Sequence, residues 1–352
     1  MRPSKCYWAP KGAVVTAPSW RTEVFVRDLP LAQRFTISSA WWDSTRNVFV
    51  IVRRGDLAGV GEASPDPRSG ETAESVAGQL RGVDLDRLAG PFDLEGVAQL
   101  LPPGSARCAL DIALHDLAGK ATGLSLAELL GCAGRRLPQT SVTVPIGDRE
   151  TMTQRARELS AFPILKIKVG FDGDVDTVRA VREVYGGVIR IDANEGWNVE
   201  QATARLAELE TLDIELCEQP VAASDLEGLA EAASKSTIPV LADEAVGTAS
   251  DVARLSGRVD GVNLKLRKAG GIRETVKGIA VARAHDMKVM LGCDLSSGIG
   301  ATAEAHVAAL VDLADIDGPL LLAEDPWPGV TYSGATLSLP PGPGLGLRTS
   351  PS

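Results

Sequence analysis

Five residues able to carry acid–base or metal chemistry recur at a nearly constant interval: Lys168, Asp192, Glu218, Asp243 and Lys265, separated by 24, 26, 25 and 22 residues. Each closes a short strand-like run, in order KIKVG, IRIDAN, IELCEQP, PVLADE and GVNLKLRKAGG. Three carboxylates on successive strand ends can converge on one hard cation. Oxygen ligands in that number suit Mg²⁺, one per chain. A single acidic strand end commonly just caps the helix after it, whereas three in register point to a metal. Asn194 and Glu244, beside these ligand candidates, read as their supports. The histidines His115, His285 and His306 all fall in helical stretches, away from the strand ends. That argues against zinc and against a Ser-His-Asp triad, and leaves His115 a structural residue.

Lys166 and Lys168 are two apart on one strand and share a face, with Ile167 on the other. Lys265 follows four strands later, halfway round a closed sheet. A cation and a neighbouring ammonium both disfavour protonation, so a lysine here is expected below its ordinary pKa of about 10.4, in the range of a general base. Two such bases flanking a metal-held carboxylate imply proton abstraction at the α-carbon, and return of a proton to the opposite face racemises or epimerises it. Lys268 lies past the strand end and is expected to be solvated. Asp315 and Asp317, ahead of Gly318-Pro319, either form an Asx-type turn or capture a cationic group on the substrate. Trp41 and Trp42 lie in a stretch, residues 31–46, that reads as a loop. They either cap an interdomain core or form a specificity loop over the active site.

Such residues need a scaffold that repeats strand and helix. A polar residue at the end of each successive strand is where a (β/α)8 barrel keeps its chemistry. Strands TSVTVPIG, PILKIKVG, IRIDAN, DIELCEQ, PVLADEA, GVNLKL and MKVMLGCD alternate with amphipathic helical stretches, and an eighth element near DIDGPLLLA closes the series. No GxGxxG follows the first strand, which removes the dinucleotide-binding alternative. Ahead of the barrel, TEVFVRDLPL and NVFVIVRRGDLAGVGEA read as strands, the latter a hairpin turning at Gly55-Asp56; ETAESVAGQLRG, DLEGVAQLL and SARCALDIALHDLAGKATG read as helices. The α/β chain therefore divides into a loose extension (1–20), an α+β capping domain (21–135), the barrel (136–322) and a Pro- and Gly-rich tail (323–352) that returns to the cap. The net charge of −10 argues against nucleic acid or an anionic membrane as partner. No run approaches the roughly 18 apolar residues of a membrane span, and the first residues make a poor signal peptide. Five cysteines without CxxC spacing read as reduced thiols of a cytoplasmic protein.

The Lys-x-Lys pair, the Asp/Glu/Asp series, Lys265 followed by Gly270-Gly271, and the helix SARCALDIALHDLAGK together resemble the muconate lactonizing enzyme subgroup of the enolase superfamily over roughly residues 22–348. DIDGPLLLAED with TYSGATLSLPPGPGLGL is most similar to its dipeptide epimerases of the L-Ala-D/L-Glu type. The resemblance implies Mg²⁺ on Asp192, Glu218 and Asp243, Lys168 and Lys265 as paired bases, and Lys166 on the substrate carboxylate. It also implies Asp315 and Asp317 on the α-ammonium of a dipeptide, and a homo-oligomer. Inversion would fall on the C-terminal residue. Ala40, flanked by Arg34 and Arg46 out of register, stands where the Glu-specific members carry an arginine, which favours an apolar or aromatic side chain there. Other members of the subgroup are N-acylamino acid racemases, synthases and dehydratases. A barrel that only binds its ligand is a further alternative.

Overall fold

The computed structural model describes residues 19–349; nearly all of the loose extension expected at the N-terminus lies outside them. A three-stranded antiparallel sheet comes first: β1 (Trp20–Ile37), β2 (Ala40–Arg54) and β3 (Leu57–Ala63). Helices α1 (Ala73–Arg81), α2 (Ser105–Thr122) and α3 (Leu126–Leu129) follow. Residues 31–46 are not the expected loop. β1 and β2 form one long hairpin turning at Ser38-Ser39, because alternating β-branched and aromatic residues carry the pairing on to Phe35↔Trp42 and Ile37↔Ala40. The register slips between Pro30, which has no N–H for the ladder, and Phe35. DLEGVAQLL forms only a 3₁₀ turn, Gly96–Gln99, where Asp93 ties up the N–H groups of Ala89 and Gly96 and competes with a longer helix.

Strand–helix alternation then builds the barrel. Its units are β4 (Val142–Val144) with α4 (Arg149–Glu158), β5 (Ile164–Lys168) with α5 (Asp174–Val184), and β6 (Val188–Asp192) with α6 (Val199–Leu209). Next come β7 (Ile214–Glu218) with α7 (Leu226–Ser234) and β8 (Val240–Ala242) with α8 (Ala249–Leu255). The chain continues through β9 (Gly261–Leu264), α9 (Leu266–Ala269), α10 (Ile272–Ala284), β10 (Lys288–Gly292) and α11 (Gly298–Ala308). It ends in β11 (Leu313–Asp315), α12 (Gly318–Leu321) and a small hairpin, β12 (Thr331–Ser333) and β13 (Thr336–Ser338). β4 to β11 form one parallel sheet in sequence order, and the bridge between Thr140 and Ala314 brings the last strand round beside the first. The eighth strand is shorter than DIDGPLLLA. It stops at Asp315, and Gly318-Pro319 starts a short helix, since proline suits a helix's first turn. Among the described residues no helix is long and apolar enough to cross a membrane.

Helix α2 is buried from Ser105 to Gly119 and lies directly on the cap sheet. Gly59 and Gly61 of β3 permit this, since a Cβ on either would stand 1.9 Å from a carbonyl oxygen of α2. In the barrel, period-two alternation layers the interior. Leu216, Leu241 and Met290, with Leu313 against them, form a separate apolar cluster. Leu216, Leu241 and Leu313 lie two residues before Glu218, Asp243 and Asp315, and Met290 two before Gly292, so the cluster floors the polar layer above it. The tail returns to the cap: Trp327 stacks on Phe49 and Phe25, and Leu345 donates its N–H to Asp116 of α2.

Candidate active site

Every strand from β5 to β9 delivers a charged side chain to one end of the barrel. β5 and β9 are four places apart in the eight-strand order, so Lys168 and Lys265 face each other across the interior, with the three carboxylate strands between them. Both lysines line a cleft of about 720 Å³, counted with its open mouth, a size suited to a small ligand. Lys166, Asn194, Asp315 and Asp317 line it too, while Asp192 and Glu218 are fully buried.

The lysines interleave with the carboxylates. Lys166 Nζ lies 3.0 Å from Asp192 Oδ2, 2.8 Å from Glu218 Oε2 and 2.7 Å from Asp315 Oδ2. Lys168 Nζ donates to Asp192 Oδ2 at 2.6 Å and Asn194 Oδ1 at 3.0 Å. Asn194 in turn donates to Glu244 Oε1 at 3.0 Å, so these two neighbours form a bracket beside Lys168. Across the cleft, Lys265 Nζ is 2.9 Å from Asp243 Oδ2. Lys268 is not solvated: the turn of α9 carries it inward, and its ammonium donates to the Asp243 carboxylate and backbone carbonyl. Asp315 Oδ1 accepts from Ser141 Oγ at 2.6 Å. Asp317 Oδ2 accepts from Thr143 N at 2.8 Å, and its Oδ1 stands 3.4 Å from Cys293 Sγ.

These contacts set the electrostatics. Burial would raise the Asp192 carboxyl, but Lys166 and Lys168 hold it below the usual range. Asp243 is likewise held low against burial by Lys265 and Lys268. Glu218 is pushed up by burial and by the charges of Asp192 and Asp243. Asp317 is raised by burial and by Asp315. At Lys265 burial acts downward, but the adjacent Asp243 charge raises it, and Lys166 is raised against burial by Asp192, Asp315 and Glu218. Lys268 is lowered, by burial first.

Among the described residues no three carboxylate, thiolate or imidazole groups form a closed ligand cluster, because ammonium groups stand between the carboxylates. The donor set nevertheless fits a divalent cation. Asp192, Glu218 and Asp243 are fully buried hard oxygen donors, and the Glu218 and Asp243 carboxyls lie within hydrogen-bonding reach of each other. Among the described residues Glu218 Oε2 receives no well-directed hydrogen bond, and Asn263 Nδ2 donates to its other oxygen. Two carboxyls this close in a buried site need a shared proton or a shared cation.

The cap supplies the other wall. Phe35, Ile37 and Trp42 of the hairpin line the cleft, and the Phe35 ring centroid is 5.8 Å from Lys168 Nζ. Trp41, one residue out of phase on β2, is 58% exposed and lies outside the cleft, covered by the Arg34 guanidinium at 4.1 Å. Arg34 pairs with Asp43 and Arg46 with Glu74, both away from the site. Several lining residues carry no periodic signal. Asp66 and Arg68 come from the β3–α1 connection, where Arg68 bonds Asp66 and reaches Glu244 at 3.4 Å. Arg267 of α9 links Asp66 to Asp294. Only Asp294, at the end of MKVMLGCD, could have been found by extending the strand-end rule.

Comparisons with known proteins agree with this architecture. Residues 21–131 match the mandelate racemase / muconate lactonizing enzyme N-terminal domain, and residues 149–352 match the enolase C-terminal domain-like family. The chain is 34% identical to an L-Ala-D/L-Glu epimerase of Bacteroides thetaiotaomicron over 330 residues, 92% of this chain and 86% of the relative. A substrate-liganded L-Ala-D/L-Glu epimerase from Bacillus subtilis superposes with a TM-score of 0.88 at 32% identity, covering 94% of this chain and 99% of that one. A dipeptide epimerase from Enterococcus faecalis V583, complexed with Mg and L-Leu-L-Tyr, gives 0.87 at 32% identity, covering 93% and 98%.

Proposed function

The chain belongs to the mandelate racemase / muconate lactonizing enzyme family of the enolase superfamily and is an epimerase, and from that premise we propose that it inverts the α-carbon of the C-terminal residue of a dipeptide by a two-lysine proton transfer. The observation that carries this reading is the opposition of Lys168 and Lys265 across the barrel, with three buried carboxylates on the strands between them. One lysine removes the α-proton to give an enediolate, and the other, on the far side, returns a proton with inversion. Lys166, beneath the cleft, offers its ammonium to the substrate carboxylate. Asp315 and Asp317 are the acceptors for the free α-ammonium, which an N-acylated substrate lacks. Asp192, Glu218 and Asp243 would hold Mg²⁺, whose charge would offset both the carboxylates that keep Lys265 protonated and the negative charge gained by the substrate carboxylate.

The side chain of the inverted residue meets the hairpin wall of Phe35, Ile37 and Trp42 beside Lys168. Arg68, the one arginine among the described residues that line the cleft, is already matched by Asp66 and Glu244. An apolar or aromatic side chain fits that wall better than glutamate, since an acidic group there would lack a free cation.

Incubation with Mg²⁺ in D₂O and pooled L-Ala-L-Xaa and L-Leu-L-Xaa dipeptides tests both points at once. The expected result is a one-dalton gain in dipeptides with an apolar or aromatic second residue. Exchange confined to L-Ala-L-Glu would overturn the side-chain assignment. Exchange of N-acylamino acids but of no free dipeptide would overturn the substrate class.

A further inference from the structure

Lys265 stands at the start of α9, a helix of four residues and far too short to hold a fixed geometry by itself. The capping domain holds it from outside. Arg107 of α2 donates Nε to Gly270 O at 3.0 Å and Nη2 to Ala269 O, which places a guanidinium on the C-terminal carbonyls of α9. One turn along the same face of α2, Asp111 Oδ1 accepts from Ile272 N at 2.6 Å and Arg273 N at 3.4 Å, at the N-terminus of α10. A further turn on, His115 Nδ1 lies 2.8 Å from the Asp111 carbonyl and 3.2 Å from its carboxylate. All three side chains are buried. Burying an arginine and an aspartate is costly unless they are hydrogen-bonded, and here the bonds that offset the cost run to the backbone around α9 and α10.

The chain between α9 and α10 is shaped to this grip. Gly270 has φ of 80° and Gly271 of 124°, and a Cβ on either would lie 2.4 Å from Arg107 Nε or Asp111 Cβ respectively. The cap helix therefore presses on the backbone five residues from Lys265, and opposite charges fix both sides of the bend. Lys168 is held differently: it ends strand β5, pairing with Asp192 of β6. The cap meets its surroundings through the other element, the hairpin, where Ser38 Oγ donates to Asn194 O at 2.7 Å and the Phe35 ring lies 5.8 Å from its ammonium.

We propose that Arg107 and Asp111 are positioning residues for Lys265, so that helix α2 of the capping domain sets the geometry of one face of the reaction and not the other. The proposal rests on the two-lysine reading given above. Its test measures deuterium uptake separately for the two epimers of one dipeptide, L-Leu-L-Tyr and L-Leu-D-Tyr being the first pair tried and the fastest pair in the pooled assay the next. Lys168→Ala and Lys265→Ala establish which epimer each lysine serves. Arg107→Lys keeps the charge but loses the paired bonds. It should slow exchange of the Lys265 epimer by at least about tenfold while the other epimer stays within about twofold, the scale expected when a reacting group is displaced by a fraction of an ångström. Asp111→Asn, folded by circular dichroism, should show the same asymmetry. Equal losses on both epimers, or none on either, would overturn the proposal. If neither alanine variant divides exchange by epimer, the two-lysine reading itself falls, and the positioning role falls with it.

Discussion

Glu62 of the capping sheet holds Ser297 of the barrel by both carboxylate oxygens: Oε1 accepts the Ser297 N–H at 2.9 Å and Oε2 the hydroxyl at 2.7 Å. Oε2 also takes the Gly300 N–H at 3.0 Å, so a side chain of one domain caps helix α11 of the other. Beside it, Asn47 and Ser64 donate to the Leu295 carbonyl, in the loop that lines the cleft after β10. Glu62→Gln would turn an amide toward some of these donors and leave buried N–H groups unpaired. The expected cost is about 1–3 kcal/mol in urea unfolding. An unchanged midpoint would show that the clamp contributes nothing.

Asp317 is the cleaner probe of amine recognition, because Asp315 is also bonded to Lys166. Among the described residues the Asp317 carboxylate has the Thr143 N–H and the Cys293 thiol as its hydrogen-bonding partners. Asp317→Asn should lower kcat/KM for free-amine dipeptides by about 30-fold or more, the cost of removing one partner of a buried charge pair. N-acetylated dipeptides, with no charge to lose, should change little. Equal loss on both classes would remove Asp317 from ammonium binding.

The adjacent tryptophans should behave oppositely. Trp42 faces the cleft while Trp41 lies outside under Arg34. Trp42→Ala should raise KM for aromatic dipeptides by about tenfold, as expected from losing part of a large apolar contact. Trp41→Ala should leave steady-state kinetics within about twofold. A reversed pattern would mean that the hairpin registers differently when substrate is bound.

What was legible in the chain follows from how local each signal is. The row Lys168, Asp192, Glu218, Asp243, Lys265 was visible because a βα repeat has a nearly fixed length and side chains alternate along a strand. The barrel followed from the same periodicity. Trp41 and Trp42 could not be told apart until the hairpin had a register, and a proline with a slipped ladder hid that register. Lys268 was misplaced because α9 is a single turn with no pattern of its own. The raised pKa of Lys265 depends on how near Asp243 stands across two strands, which spacing alone does not give. The clamps made by Glu62, Arg107 and Asp111 join residues more than 150 positions apart, and single side chains of this kind leave no periodic trace.

His306 of α11 gives the fold a pH dependence of predictable sign. It is buried among α3 and the tail, accepting the Ala127 N–H at Nδ1 and facing Leu345 O at 3.5 Å through Nε2, so the neutral ring satisfies both contacts. Burial pushes its pKa down to about 4, whereas the unfolded chain protonates it near 6.5. The unfolded state therefore binds the extra proton as pH falls below about 6.5. Stability is fully present above that value, is lost progressively on acidification, and levels off near pH 4. Linkage gives a loss of about 1 kcal/mol by pH 5.5 from this residue. His306→Gln can still accept from Ala127 and donate to Leu345 but cannot titrate. The fall in urea-unfolding free energy from pH 7.5 to 5.5 should be about 1 kcal/mol smaller in this variant than in the unaltered protein. Parallel pH profiles would mean that His306 already takes up its proton in the folded state, and that the α3–α11–tail contact accommodates the charge.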